Sequence, residues 1–262
     1  MNTIDKLAFV HPEAKIGDGV TIEAFAYVDR DTEIGDGCHI HPYACIRAGA
    51  RIGRDNEIFE YAVIAATPQD FRWKGKDSYV VIGDGNKIRE QVIINRGIHE
   101  GSATRIGNGT FILAQTHIGH DTEVGDKCVL GNAVKVAGDV KIGNCCILSS
   151  NCLVHEKCHI GEWSLIKVGC RVNGHVPPFT VMAHNPISYY GVNAYILRVT
   201  KHEEKIIEDI AKCYRHVYQS GTSVFNAMRR IRDDVDPSAQ RDSILAFIEG
   251  HELKIVGVPE IE

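Results

Sequence analysis

An aliphatic residue returns at every sixth position from Ile4 to Val172. Stepping by six visits 29 positions, and 26 of them are Ile, Val or Leu. With 44% hydrophobic residues in the chain, chance would put about 13 apolar residues of any kind there. This is a hexapeptide repeat, and a repeat of this strength decides the fold before any other signal is weighed. A short strand followed by a turn, three to a coil, accounts for it: the aliphatic side chain points into a narrow prism.

Two further columns support that reading. The residue after the aliphatic one is often glycine, as at Gly17, Gly35, Gly53, Gly107, Gly125 and Gly143. The residue four places on is small, as at Ala8, Ala26, Ala44, Cys128, Cys146 and Cys170. Six of the nine cysteines fall in this second column, which makes them small inward hydrophobes rather than reactive groups. The cysteine number is odd and contains no CxxC pair, so neither a disulfide framework nor a zinc ribbon is indicated.

A beat of 18 residues, one coil, lies over the beat of six, with Ile-Gly at Ile16, Ile34 and Ile52 and again from Ile106. The step from Ile52 to Ile82 is 30 residues and that from Ile82 to Ile106 is 24. The excess marks insertions near 65–80 and 96–104, which hold the three exceptions to the hexad, Asp70, Lys76 and Glu100. Loops that interrupt so regular a solenoid are where function is expected.

The period stops near Pro177-Pro178. We expect a parallel β-helix over 1–180 and a helical domain over 181–262. Thr200 to Glu203 reads as a capping box before an apolar stripe through Ile206, Ile207, Ile210, Ala211, Tyr214 and Val217. Val224, Phe225, Met228 and Ile231 suggest a second helix. Asp236-Pro237 reads as the start of a third, through Ile244 and Ile248.

Formal charge is −5, which argues against nucleic-acid binding. The N-terminal segment does not read as a signal peptide, and no run approaches the roughly 20 apolar residues of a membrane span. A cytoplasmic protein without an integral membrane segment is expected.

Five stretches carry a family resemblance: IGRDNEI (52–58), PQDFRWKG (68–75), IREQVIINRG (88–97), AQTHIGHDTEVGDKCVLGN (114–132) and VPPFTVMAHNPISYYGVN (176–193). With the domain order, they resemble the acyl-carrier-protein-dependent UDP-N-acetylglucosamine O-acyltransferases of lipid A synthesis, left-handed parallel β-helix proteins with a helical C-terminal domain. The resemblance implies transfer of a fatty acyl group, often 3-hydroxylated, from an acyl carrier protein thioester to the sugar 3-hydroxyl. It implies a homotrimer with the groove between subunits. No cofactor of the enzyme's own is implied, since the acyl group rides on the phosphopantetheine of the carrier.

By the same resemblance His120 would be the general base, Asp121 its orienting carboxylate and Gly138 the backbone donor to the thioester oxyanion. Substrate contacts would come from Asp70, Arg72, His117, Asp139, His155, Glu156 and Asn193, with Val168 limiting acyl length and Arg198 among the basic residues near the diphosphate. Several positions depart from the family pattern. Asp139 stands where His is familiar, Arg72 for Lys and Glu156 for Gln. The segment 183–186 reads AHNP, and 196–201 lacks the usual twin arginines. A related UDP-amino sugar is an alternative acceptor. Two other classes remain open: a trimeric β-helix zinc lyase using His117, His120 and His155, and a non-catalytic trimeric scaffold.

Overall fold

Strands of two to four residues follow one another around three faces of a prism, each pairing in parallel with the strand one coil away. The computed structural model describes residues 1–252 and 254–258. Face 1 runs from Thr3–Ile4 to Leu165–Ile166, face 2 from Phe9–Val10 to Arg171–Val172, and face 3 from Lys15–Ile16 to His159–Ile160. Registers align one aliphatic residue on the next, as in Ile94 with Ile118 and Ile118 with Val136. The hexad thus becomes three columns of Ile, Val and Leu filling the prism, nearly all without solvent exposure. Truncating one such Ile to Ala would cost about 2–5 kcal/mol, because the stacked coils cannot collapse into the void.

All six column cysteines are buried. The same column also takes buried polar residues where coils can satisfy them: Asn56 Oδ1 accepts from the Asn86 N–H at 2.9 Å. Glycine after the aliphatic residue has a specific cause. A Cβ on Gly35 would lie 2.6 Å from the Gly53 carbonyl oxygen on the adjacent coil, so the requirement is close stacking. Left-handed backbone falls two residues later instead, where Phe25, Tyr43, Tyr61, Asp121 and Asp139 all have φ near +60°.

The insertions occupy residues 67–78 and 96–102, and both leave face 2 for face 3. They therefore project from the same corner of the prism. Chain geometry alone places Asp70 beside the coil that carries His120.

Past Pro177-Pro178 the solenoid gains one more rung, Thr180–Ala183, parallel to Leu165–Ile166. It turns back antiparallel through Ser188–Val192. Among the described residues four helices follow: α1 (Ala194–Val199), α2 (Glu204–Tyr218), α3 (Val224–Asp234) and α4 (Ala239–Gly250). The expected helical domain ran to residue 262; residues 253 and 259–262 lie outside those described. Tyr214, wholly buried on α2, donates its hydroxyl to the Pro178 carbonyl, tying the helices to the end of the prism.

Three details of the helices differ from expectation. Thr200 does not open α2; its hydroxyl bonds back to the Ile196 and Leu197 carbonyls and closes α1, while Glu203 precedes α2 without a side-chain cap. The N-cap of α4 is Ser238, accepting from the Arg241 N–H, because Asp236-Pro237 lies outside the helix. Phe225, expected in the α3 stripe, is 62% exposed, and Ala227, Met228 and Ile231 form its buried side.

Candidate active site

His120 lies in the turn after the strand His117–Ile118. It is two residues beyond inward Ile118, so its side chain leaves the prism at the corner between faces 2 and 3. The insertions roof this corner, and His120 is only 8% exposed. Its Nδ1 is 2.9 Å from Asp121 Oδ2. Asp121 Oδ2 also accepts from the Ile98 N–H at 3.0 Å, so the second insertion fixes the carboxylate. Burial pushes the Asp121 carboxyl up, but bonds from Ser102, Ile98 and His120 outweigh it and hold the group below its ordinary value. An ionised Asp121 can only accept. The shared proton therefore sits on Nδ1, leaving the His120 Nε2 lone pair toward the cleft.

Asp70 stands opposite, with Oδ2 3.4 Å from His120 Nε2. Arg72 grips Asp70 through Nε at 3.0 Å and Nη2 at 2.7 Å. That guanidinium holds the Asp70 carboxyl well below the usual carboxylate range. Asp139 and Glu156 add negative charge near Arg72, so the two acidic departures from the family pattern lie within reach of a fixed cation.

Gly138 is one coil beyond His120 in the same column. A Cβ there would lie 2.4 Å from the His120 ring. Any other residue at 138 would displace the imidazole.

His117 presents the complementary tautomer. Its Nε2 is 2.7 Å from Asn95 Oδ1, and the Asn95 amide nitrogen donates to the Thr67 carbonyl at 2.8 Å. With the amide so oriented, His117 Nε2 is the donor and Nδ1 is left as an acceptor. Burial, then Lys135 and His120, lower the His117 pKa and favour the neutral ring.

Asp70, Asn95, His117, His120 and Gly138 line a cleft of about 580 Å³ together with Gln69, Lys135, Leu153, His155 and Glu156. The sequence-predicted His117, His120, Gly138, Asp70, His155 and Glu156 thus converge. Arg72 and Asp139 adjoin them. Val168, Asn193 and Arg198 do not. Val168 is 68% exposed at the corner between faces 1 and 2. Asn193 is 4% exposed and donates to the Trp163 carbonyl, and Arg198 pairs with Glu204. Asn95, 1% exposed, was not anticipated. Its signal was available: a polar residue in the quoted run IREQVIINRG, in a column continued by Gly119 and Ala137.

The zinc-lyase triad is not assembled. His117 Nε2 is engaged by Asn95 and His155 Nε2 by Arg171 at 3.1 Å. The ligand-capable group at this corner is instead His120, Asp121 and Asp139, one imidazole and two carboxylates, not the three imidazoles that reading needs.

Comparisons with known proteins agree with the geometry. The family described as UDP N-acetylglucosamine O-acyltransferase, domain 2, matches residues 175–256. The bacterial transferase hexapeptide family matches 31–66 and 103–138. A protein of Syntrophobacter fumaroxidans named acyl-(acyl-carrier-protein)–UDP-N-acetylglucosamine O-acyltransferase is 37% identical over 69% of this chain and 71% of its own. One of the same name from Xanthomonas euvesicatoria pv. vesicatoria is 38% identical over 71% of each. The crystal structure of a UDP-N-acetylglucosamine acyltransferase from Bacteroides fragilis superposes with a TM-score of 0.94 at 41% identity, covering 96% of this chain and 99% of that one. The architecture is the expected left-handed parallel β-helix with a helical C-terminal part. The chain belongs to the acyl-(acyl-carrier-protein)–UDP-N-acetylglucosamine O-acyltransferase family.

Proposed function

We propose that this protein transfers a fatty acyl group from an acyl carrier protein thioester to the 3-hydroxyl of UDP-N-acetylglucosamine, the first step of lipid A synthesis. The observation that carries the mechanism is the His120–Asp121 contact of 2.9 Å, which leaves Nε2 free at the cleft. The sugar hydroxyl approaches His120 Nε2 alongside Asp70. As its oxygen attacks the thioester carbonyl, its proton passes to His120 Nε2, and Asp121 stabilises the imidazolium that forms. The Gly138 N–H faces the oxyanion. When the tetrahedral intermediate collapses, the C–S bond breaks and the departing thiolate recovers the proton from His120. A thioester is already activated, so no covalent enzyme intermediate is needed. Asp70, kept ionised by Arg72, accepts from a second sugar hydroxyl, and His117 Nδ1 accepts from another substrate donor.

The enzyme carries no cofactor of its own in this reading; the acyl carrier protein and UDP-N-acetylglucosamine are its partners, and the cytoplasm is its compartment. No described helix is long and apolar enough to cross a membrane. A homotrimer is part of the same proposal. Val168 and Arg198 are exposed outside the cleft of their own chain, so they reach a bound substrate only when a neighbouring copy brings them to it. Phe71, 92% exposed beside Asp70, fits the same closure.

The test is direct. Purified protein is mixed with acyl carrier protein thioester and UDP-N-acetylglucosamine, and free carrier thiol and O-acylated sugar nucleotide are followed together. Both should appear in equal amounts. Turnover only with the 3-amino analogue would move the assignment to that acceptor, and no turnover with either would overturn it.

A further inference from the structure

A second imidazole pair lies on face 1, among residues that do not line the cleft. His39 and His41 flank Ile40, which is fully buried. Residues two apart on a strand point to one side of a sheet, so His-Ile-His sets both rings side by side on the outer surface. Their centroids are 4.1 Å apart and their planes differ by 18°. The coil before them supplies Glu23, with Oε1 2.5 Å from His39 Nε2 and 3.7 Å from His41 Nδ1. The coil after supplies Glu57, in register with His39; its Oε1 is 3.2 Å from His41 Nε2.

We propose that His39 Nε2, His41 Nδ1 and Glu23 Oε1 bind a divalent cation of the zinc type, with Glu57 orienting His41. Ligand atoms of the three residues fall within 4.8 Å of one another. Zinc at ~2.0–2.2 Å from each ligand requires tetrahedral edges of roughly 3.4 Å, and the observed 2.5 and 3.7 Å bracket that value. Small side-chain rotations close the set. Two imidazoles and one carboxylate suit zinc over magnesium or calcium, which take oxygen ligands.

Glu57 supplies what a metal-bound histidine needs on its other nitrogen. Accepting from the His41 Nε2–H, it fixes the ring and leaves the Nδ1 lone pair toward Glu23. Lys87, 3.4 Å from Glu57 Oε2, holds that carboxylate in place and balances its charge. Without a cation, one proton is shared between His39 Nε2 and Glu23; the cation replaces it, and water fills the fourth position. His39 and Glu23 are each 37% exposed, so an ion can enter from solvent. Bound there it would join three consecutive coils, through Glu23, the histidine pair and Glu57, at a distance in sequence from every residue of the cleft.

The experiment strips the full-length protein with a chelator and titrates Zn²⁺ in competition with a chromophoric chelator, in excess Mg²⁺. One Zn²⁺ should bind per chain, and thermal unfolding should move up with Zn²⁺ but not with Mg²⁺ alone. His39→Ala and His41→Ala should each abolish stoichiometric binding. Glu57→Gln should weaken it by about 10–100-fold. Glu23→Gln keeps the side-chain shape and should lose the ion even if a histidine variant folds poorly. Substituted Co²⁺ should give the visible absorption of a tetrahedral site in the parent and lose it in His39→Ala, His41→Ala and Glu23→Gln. Because His120, Asp121 and Asp139 are also close enough to share an ion, Asp139→Asn is the control and should leave the stoichiometry at one. Absence of stoichiometric Zn²⁺ in the parent, binding that survives His39→Ala or Glu23→Gln, or binding lost in Asp139→Asn would each overturn the proposal.

Discussion

Two histidine clusters of this molecule differ in the chemistry of their partners. At the cleft, His120 has the Asp121 carboxylate on Nδ1 and the Asp70 carboxylate 3.4 Å from Nε2. At the junction with the helices, His159 Nδ1 meets His251 Nε2 at 2.9 Å, and His251 Nδ1 donates to the Phe247 carbonyl at 2.6 Å. His175 Nδ1 accepts from the His159 backbone N–H at 3.2 Å. Carboxylates stabilise the imidazolium that forms when a base takes up a proton. At the junction a further proton on His251 Nε2 or His175 Nδ1 would set two donors face to face, and the charge of a protonated His159 would lie buried beside His251, Lys141 and His175. The same side chain is therefore equipped for proton transfer at one place and for sealing an interface at the other.

The largest expected effect breaks the first half of this comparison. His120→Ala should lower kcat by on the order of 10²–10⁴-fold, the usual contribution of a placed general base. It should leave the protein folded with a modest loss of Tm, because this side chain is outside the aliphatic columns but is buried and bonded to Asp121. Steady-state kinetics and a melting curve on the same preparation check both. Near-parental turnover would mean that another group takes the proton, and the contrast drawn between the clusters would lose its catalytic side.

The cluster at the cleft was legible in sequence because the hexad numbers the corners. Counting from Ile118 places His120 outward, and 18 residues further lies Gly138 in the same column. The insertions announced themselves as arithmetic excesses in the period. The sequence could not say which residues the insertions would hold in place. The Asn95 amide is oriented by the Thr67 carbonyl and Asp121 by the Ile98 N–H, contacts between segments whose conformation no periodicity encodes. Val168, Asn193 and Arg198 were readable only by resemblance, and a single chain leaves them outside the cleft. The junction cluster was not legible at all. His159 and His175 come from the solenoid and His251 caps the C-terminus of α4, and only the packing of the helical part brings them together.

A smaller effect sharpens the view that fixed tautomers matter at the cleft. Asn95→Leu removes both the acceptor on His117 Nε2 and the donor to the Thr67 carbonyl. Leaving buried polar groups unpaired should cost about 1–3 kcal/mol of stability. We expect about a tenfold loss in kcat/KM, borne mainly by KM, since His117 positions substrate and His120 keeps its own carboxylate. Asn95→Asp keeps the acceptor and should recover part of the KM. NMR of the ring nitrogens should find His117 protonated on Nε2 in the parent and in mixed tautomers in Asn95→Leu. An effect on kcat alone would assign His117 to proton transfer and erase the distinction between the two cleft histidines.

The last and smallest effect tests the junction through pH. Burial, followed by the charges of His251, Lys141 and His175, lowers the His159 pKa from 6.5 to about 4, and His175 is lowered by burial and His251. The folded state thus binds these protons more weakly than the unfolded chain. As pH falls below about 6.5 the unfolded chain takes up protons first, so stability declines. The contribution is intact above the unfolded value and is lost by the time pH has passed through the folded value near 4. For the cleft carboxylates Asp70 and Asp121 the sign of proton linkage is the same but the window lies lower, because both are held below their ordinary value of 3.8, while His117, lowered by burial, shares the window of the junction. Between pH 6.5 and pH 4 the junction should therefore account for more of the acid sensitivity than these carboxylates do. Melting curves across that range should give a Tm falling by several degrees in the parent and by less in His159→Gln, which cannot titrate. Equal slopes in the two proteins would show that the junction tolerates a proton, and the difference between the clusters would then rest on the cleft alone.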